Sequence, residues 1–357
     1  AQTIPEVLKK GGYVSGMFGK WGLGAPGSEG DPMNQGFDRF YGLNCQRQSH
    51  NFYPTHVWSD RNKVELNRKK YSHSLIADEC LKFIRKNKDN PFFCYVPFTI
   101  PHAAMQSPEE RIAPWRKKFP EFENVTGKYG GSVIKNPVAA FAAMMVHMDE
   151  DVGRILGLLE ELKIDDNTLV IFTSDNGPVW YQRDRLKHNH SSASIYSGMK
   201  GDFWEGGHRV PFIVRWPGKI KAGSVSDHLG YFPDVMPTIA EITGAIPRKD
   251  SDGISIVPTL LGAEKAGRKQ EQHEYLYWES KKSIALRMNN WKAIKPSNKA
   301  PFELYDLSKD IEELHDVAAQ YPEIIEKMKK YAKQAHTPVR VGKVLDASLG
   351  FKGHNKN

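Results

Sequence analysis

Apolar residues recur along the chain at helical spacing in some segments and in continuous runs in others. Leu75, Leu81, Phe83 and Ile84 fall on one face of a predicted helix over 72–86. A continuous apolar run at 92–98, bounded by prolines, predicts a strand that is buried on both faces. Shorter apolar strands are predicted at 13–18, 169–172 and 212–216. A longer amphipathic helix over 138–163 is predicted from the spacing of Met144, Met145, Met148, Val152, Ile155, Leu159 and Leu162.

The first residues predict a short helix with clear ends. Thr3 and Glu6 form a capping-box pattern at its start, and Gly11-Gly12 ends it. After the 13–18 strand, a loop rich in glycine and proline is predicted to run to about Gly42. Because strands then alternate with helices, we expect a parallel sheet covered by helices on both faces.

The pattern changes after about Leu261. A charged stretch to Gln270 is typical of a linker, and short strands follow it in quick succession at 275–279, 284–288, 291–294 and 304–307. Asn289-Asn290 predicts a tight hairpin turn, and a helix is predicted over 322–334. The sequence therefore predicts an α/β domain over 1–268 and a smaller antiparallel sheet with one helix, followed by a tail, over 269–357.

The net charge of the chain gives only weak information on what it binds. Lys and Arg exceed Asp and Glu by 50 to 42, a net charge of +8 that favours anionic partners. The basic residues are spread along the chain, which argues against a nucleic-acid motif. No apolar run is long enough for a membrane span. Because the first ten residues contain neither an initiator Met nor an apolar signal segment, we expect a processed chain or a piece of a longer one.

Residues with chemical potential follow the predicted strands. Lys20 follows the first, His102 the second, and Asp175-Asn176 the third, while Lys200 lies in a glycine-rich block before the fourth. In open α/β sheets ligands bind beyond the carboxyl ends of strands, so these positions suggest an anion site with a hard cation. Each also has a plain alternative: an Asx turn at 175–176, a satisfied loop histidine, and solvated lysines.

A polar loop between these positions is a candidate for substrate binding. Arg47, His50 and Tyr53 lie in the run QRQSHNFY, where planar polar groups and aromatic rings suit a carbohydrate. An ordinary polar surface loop explains the same composition equally well.

A more specific signal comes from an ordered set of motifs. Residues 3–12, GKWGLG at 19–24 and QGFDRFYG at 35–42 resemble the middle of a type I sulfatase. TSDNG at 173–177 and KGDFWEGGHRVP at 200–211 resemble that family's later motifs, and FELYDLSKDIEELHDV at 302–317 resembles its C-terminal subdomain. The resemblance implies an alkaline-phosphatase-like fold, a mixed and mostly parallel sheet flanked by helices, and hydrolysis of sulfate esters.

The resemblance also implies roles for the candidate residues. Asp175 and Asn176 would be two ligands of a Ca²⁺ ion, and Lys200 would hold a sulfate oxygen. Lys20 would stabilise the nucleophile and the sulfate, and His102 would protonate the leaving oxygen as general acid. In the family the nucleophile is the hydrate of a formylglycine made from Cys or Ser.

The chain departs from the family pattern in two respects. Gly22 occupies a position where many sulfatases have histidine. In addition, no Cys or Ser in the 357 residues is followed by x-Pro-x-Arg, the family's nucleophile motif, and the acidic pair that completes the metal site is also absent. We therefore expect both to lie upstream of Ala1, and we predict that the isolated chain turns over little substrate.

The sequence thus predicts a Ca²⁺-dependent sulfatase that acts on a sulfated carbohydrate or similar ester. A phosphoesterase of the same superfamily and a non-catalytic module that binds sulfated glycans are the alternatives. Because sulfated polymers are extracellular, a periplasmic or secreted location is expected. The sequence leaves the oligomeric state open.

Overall fold

The computed structural model describes residues 2–129, 132–179, 192–247, 251–280 and 283–338. The chain divides into two compact units. Of the described residues, the first unit contains the chain up to Thr168 and the stretch that begins at Ile239, and the second contains Leu169–Thr238 and the chain from Ser251 to Pro338. The predicted boundary at 268 stays a prediction.

The described residues form helices and strands with the following bounds, in chain order. The helices are α1 (Ile4–Lys9), α2 (Ser72–Lys86), α3 (Glu109–Lys118), α4 (Pro137–Glu161), α5 (Glu205–His208), α6 (Val235–Thr243), α7 (Val257–Leu261), α8 (Ala263–Ala266) and α9 (Pro322–Ala335). The strands are β1 (Val14–Lys20), β2 (Arg39–Leu43), β3 (His56–Ser59), β4 (Asn62–Glu65), β5 (Phe92–Tyr95), β6 (Thr126–Tyr129), β7 (Ser132–Lys135), β8 (Val170–Thr173), β9 (Phe212–Arg215), β10 (Leu276–Glu279), β11 (Ile284–Met288), β12 (Trp291–Lys295) and β13 (Glu303–Asp306).

The first unit contains a mixed five-stranded sheet in the order β4-β3-β2-β1-β5. Central β1 pairs in parallel with both β2 and β5, whereas β2, β3 and β4 pair antiparallel. β2 lies inside the predicted glycine-rich loop, so the prediction of a loop is wrong there. β5 is also shorter than the predicted 92–98 strand and only half-buried, with Tyr95 45% exposed.

The predicted helices of this unit are present. Thr3 caps α1 in a complete capping box with Glu6, as the sequence predicts. Helix α2 packs on the sheet through Phe83, whose ring lies 5.3 Å from that of Phe18 in β1. Helix α4 buries Met144, but Met145 is 38% exposed and does not lie on the buried face that the helical spacing predicts. The difference follows from the width of the buried stripe, which leaves the neighbouring position outside.

The second unit contains two separate antiparallel arrangements. Strands β8 and β9 form a two-stranded antiparallel pair, so the expected parallel pairing does not apply to them. Strands β10 to β13 form an antiparallel sheet in sequential order, and α9 packs against it through Ile325, Met328 and Tyr331, as the sequence predicts. The predicted linker after Leu261 contains the short helix α8, which directly follows α7. Throughout the described ranges, every helix is too short or too polar to cross a membrane.

Candidate functional site

Lys20 is the last residue of β1, and the backbone around it is tightly fixed. Its N–H donates to the carbonyl of Pro97 at 2.9 Å, and the residue pairs with Leu43 of β2. The preceding Gly19 has φ +144°, and a Cβ at that position would overlap the Pro97 carbonyl. Glycine is therefore required here so that β1 can end against the segment after β5.

His102 lies just beyond this segment, next to a residue of the candidate substrate loop. Its ring stacks on that of His50, with centroids 4.6 Å apart and planes within 5°. Arg47 is exposed at the start of the same turn. Tyr53 packs against Tyr71 with ring centroids 5.2 Å apart. The structure thus places His50 beside His102, whereas Tyr53 has a packing role in addition to any contact with a ligand.

At Gly22, where many sulfatases have histidine, the space beside the backbone is occupied by the side chain of Gln46. The residue has φ +81°, and a Cβ there would lie 2.5 Å from Nε2 of Gln46. The Gln46 side chain therefore covers the space that a side chain at 22 would enter. A histidine at this position would need both a strained backbone and a displaced glutamine.

Asp175 and Asn176 lie in a turn directly after β8. Asn176 Nδ2 donates to the Gly177 carbonyl at 2.9 Å, and Ser174 Oγ donates to the Asn176 carbonyl at 3.0 Å. Asp175 is exposed. The first bond orients the Asn176 amide through its nitrogen, so Oδ1 is the atom that this side chain can offer to a cation. Carboxylate and amide oxygens suit Ca²⁺ chemically, although these two residues supply only part of a coordination sphere.

Lys200 lies beside this turn, in a closed loop. Its N–H donates to the Pro178 carbonyl at 2.9 Å, and the Gly177 N–H donates to the Gly207 carbonyl at 3.0 Å. Across the base of the loop, the Gly206 N–H donates to the Ser197 carbonyl at 2.7 Å. Within the second unit, the structure therefore joins the 173–177 and 200–211 motifs, and with them Asp175, Asn176 and Lys200.

A buried ion-pair network anchors this loop, and the sequence reasoning missed it. Glu205 accepts from Lys292 Nζ and from Arg287 Nη1, each at 2.8 Å. Its N–H donates to Glu313 Oε2 at 2.7 Å. Lys292 is 0% exposed and lies in β12, so the C-terminal sheet holds the motif loop through charges that are out of water. A lysine within an apolar strand was the only sequence signal for this network.

Burial shifts two titrations near this network. Burial raises the pKa of Glu313 to about 7, although Lys292 opposes the shift. Burial, and next the charge of Lys292, lowers the pKa of His208 to about 4. His208 also packs edge-on against Trp278 at 4.6 Å. At neutral pH His208 is therefore uncharged, while Glu313 is partly protonated.

A second buried polar cluster lies in the first unit and was also missed. His73, His147 and Asp151 are all buried, and one donor atom from each lies within 4.8 Å of the others. Burial, and next the neighbouring His73, lowers the pKa of His147 to about 4. These residues form a group that could hold a metal ion.

Comparisons with known proteins place the chain among enzymes of one family. A family model described as Sulfatase matches residues 1–245, and one described as N-sulphoglucosamine sulphohydrolase, C-terminal, matches residues 200–337. The chain is 32% identical over 319 residues to an arylsulfatase of Hemicentrotus pulcherrimus, covering 82% of this chain and 51% of that protein. It is 31% identical over 277 residues to the N-acetylgalactosamine-6-sulfatase of Homo sapiens, covering 73% and 48%. The chain thus spans about half the length of these two relatives.

Solved structures agree with these matches. A structure described as Ps i-CgsB in complex with k-i-k-neocarrahexaose is 26% identical, with a TM-score of 0.74, and the match covers 93% of this chain and 74% of that one. A structure described as BT4656 in complex with D-glucosamine-2-N,6-O-disulfate has a TM-score of 0.71 at 20% identity, covering 94% and 81%. At that identity the second likeness concerns the fold alone.

Proposed function

The chain belongs to the sulfatase family, and from that premise we propose that it acts in the hydrolysis of sulfate esters. The observation that carries the proposal is the position of the family motifs in the fold. Lys20 ends β1, and Asp175-Asn176 directly follow β8. Ligands commonly bind at strand ends in α/β folds, which supports a functional role for these motif residues.

The proposed roles follow from the chemistry of each side chain. Sulfate-ester cleavage develops negative charge on the sulfate oxygens and on the leaving alcohol. Lys20 and Lys200 would stabilise the charge on the sulfate, and His102 would donate a proton to the leaving oxygen. The ring of His50, stacked on His102, would fix the orientation of that proton donor. These assignments are consistent with the placement of each residue within its own unit.

A calcium ion is the proposed cofactor. Asp175 and Asn176 offer the hard oxygen atoms that Ca²⁺ prefers, and the bond from Asn176 Nδ2 to Gly177 orients the amide for that purpose. The ion would supply positive charge to the sulfate group. Within the proposal, this chain's own contribution is to hold that ion and to keep Lys200 in the loop beside it.

The proposed substrate is a sulfated carbohydrate. Relatives with this specificity by name include N-acetylgalactosamine-6-sulfatases, and Arg47, His50 and Tyr53 supply polar and aromatic groups suited to a sugar. Because such polymers are extracellular, we propose a periplasmic or secreted site of action.

The test is binding of N-acetylgalactosamine 6-sulfate in the presence of Ca²⁺, measured by isothermal titration. We expect saturable binding that weakens at least roughly tenfold in Lys200→Ala, since a charge-assisted contact is lost. Lys219→Ala is the matched control, because it removes an exposed lysine of the same unit. Equal affinity in both variants, or stronger binding of the corresponding phosphate ester, would contradict the proposal.

Turnover needs a separate measurement. The 357 residues contain no Cys/Ser-x-Pro-x-Arg run, so we expect them to hydrolyse an aryl sulfate at a negligible rate. We expect a longer form that carries this run, matured to formylglycine, to be active. Normal sulfatase turnover by the 357-residue chain would refute the prediction that it needs a nucleophile outside these residues.

A further inference from the structure

The buried cluster of His73, His147 and Asp151 joins two helices of the first unit. His73 is the second residue of α2, while His147 and Asp151 lie one turn apart on α4. Their side chains are 0%, 3% and 2% exposed. An i, i+4 pair points from one helix face, so both α4 side chains meet the start of α2. Three metal-ligating groups are thus gathered from two helices that are far apart in the sequence.

The donor atoms of the three side chains lie close enough together to share one metal ion. Asp151 Oδ2 is 2.9 Å from His73 Nε2 and 3.6 Å from His147 Nε2. Ligand atoms around a tetrahedral zinc ion are roughly 3.3 Å apart, given bonds of about 2.0–2.1 Å. The His73 Nε2 and Asp151 Oδ2 atoms are close enough for a hydrogen bond but are not aligned for one. Within the described residues both remain without a hydrogen-bond partner.

The two arginines near the cluster are each paired with a carboxylate, so their positive charges are partly compensated. Arg154 donates to Asp151 Oδ1 at 2.7 Å and also to Asp78 at 2.6 Å, so it has a second carboxylate of its own. Arg111, whose charge also acts on His147, is paired with Glu150 at 2.6 Å. The two carboxylate oxygens of Asp151 are therefore divided, with Oδ1 held by arginine and Oδ2 facing the imidazoles. Supporting bonds of this kind commonly orient a metal-ligating carboxylate.

We propose that His73, His147 and Asp151 bind a divalent cation of the zinc class in the interior of the first unit. Two imidazole nitrogens and one carboxylate oxygen suit Zn²⁺, whereas Ca²⁺ prefers oxygen ligands alone. The site is separate in sequence and in chemistry from Asp175 and Asn176. Since its ligands come from α2 and α4, the ion would tie these two helices together and stabilise the folded unit.

The experiment is a metal analysis of the untagged chain, stripped with a chelator and then given Zn²⁺ or Ca²⁺ alone. After removal of excess metal, mass spectrometry should find about one zinc per chain in the wild type. Zinc should also raise the melting temperature by roughly 3–6 °C, because it binds only the folded state. Calcium should not stay bound after the excess is removed, and it should raise the melting temperature less than zinc does.

Variants decide whether the three residues hold the ion. His147→Gln and Asp151→Asn should each lose the bound zinc and the zinc-dependent shift. His273→Gln is the matched control, because His273 pairs with buried Asp234 at 2.8 Å but belongs to no such triplet within the described residues. If a variant fails to fold, the spectrum of the cobalt-loaded wild type decides, since a four-coordinate site gives intense visible absorption.

The proposal would be overturned by wild-type zinc content no higher than that of His147→Gln. A cobalt spectrum typical of six water or oxygen ligands would overturn it too. So would imidazole ¹⁵N shifts of His73 and His147 that stay unchanged when zinc is added.

Discussion

The ion pair between Lys292 and Glu205 offers a sharp test of how the motif loop is held. Replacing Lys292 by Met keeps much of the aliphatic volume but removes a charge that is 0% exposed and lies 2.8 Å from Glu205 Oε1. The carboxylate left behind is 7% exposed. Removing one partner of a buried pair usually costs about 3–5 kcal/mol, because the other charge loses its compensation.

The charges near Glu205 determine how large the loss of unfolding free energy should be within this range of about 3–5 kcal/mol. Glu205 keeps Arg287 at 2.8 Å, and it also has Arg209 at 3.7 Å, which is 48% exposed. The carboxylate therefore stays partly compensated in Lys292→Met, and we expect a loss near the lower end, about 3 kcal/mol. Glu205→Gln leaves the fully buried ammonium without its carboxylate and should cost more, about 4–5 kcal/mol.

The assay is urea unfolding of the wild type, the two single variants and the double variant. The double variant should be less destabilised than the sum of the singles by about 2–3 kcal/mol, since neither charge is then left alone. Lys309→Met is the matched control, because Lys309 pairs with Asp306 at 3.1 Å but is 76% exposed, and we expect little change. The reasoning is refuted if Lys292→Met costs no more than this control, or if the two single losses simply add.

Three further predictions concern titration and backbone strain. Because the folded pKa of Glu313 is raised to about 7, its protonation stabilises the fold at low pH and this contribution is lost as pH rises through 7. The melting temperature of Glu313→Gln relative to the wild type should therefore rise between pH 5.5 and 8, and a difference that stays constant with pH would contradict this. The pKa of His208 is lowered to about 4, so the unfolded chain binds the proton first and stability falls as pH drops from about 6.5 to 4. His208→Gln should flatten that decline in an acid titration followed by circular dichroism, whereas an unchanged slope would count against it. Gly19→Ala should lower the free energy of unfolding in urea by about 3 kcal/mol or more, since a Cβ at this position would overlap the Pro97 carbonyl. Gly12→Ala is the control: Gly12 also has a positive φ, of +76°, but open space around it, so the substitution should cost about 1 kcal/mol. Equal losses in the two variants would show that the close approach to Pro97 is unimportant.

Features encoded by nearby residues could be predicted from the sequence. The capping box of Thr3 and Glu6 is a local signal, and the structure contains it. The hairpin at Asn289-Asn290 is another, since Met288 pairs with Trp291 across it and Asn289 has φ +51°. In both cases the residues that form the contacts are close neighbours in the chain, so the pattern contains the whole interaction.

Strand β2 could not be predicted because it contains Gly42, a residue that the fold requires at this position. Its apolar residues are interrupted by Gly42, which makes the segment's pattern typical of a glycine-rich loop. A Cβ at Gly42 would overlap the carbonyl of Gly19 in the neighbouring β1. The glycine that weakens the strand pattern is therefore the one that allows β1 and β2 to approach closely beside Lys20. Likewise, the apolar runs of β8 and β9 contain no information on the direction of their pairing.

Several candidate residues can be predicted because they follow strands, but residues far away in the sequence hold the loop that contains Lys200. Glu205 is 87 positions from Lys292, and each alone is typical of a solvent-exposed charge. Together they join the C-terminal sheet to a loop that the Gly206–Ser197 bond closes and that contains Lys200. The sheet therefore has a function beyond its own core: it fixes the loop from within the protein. It follows that Lys292→Met should weaken the binding of a sulfated sugar as well as the fold, although Lys292 is buried and Lys200 keeps its own side chain.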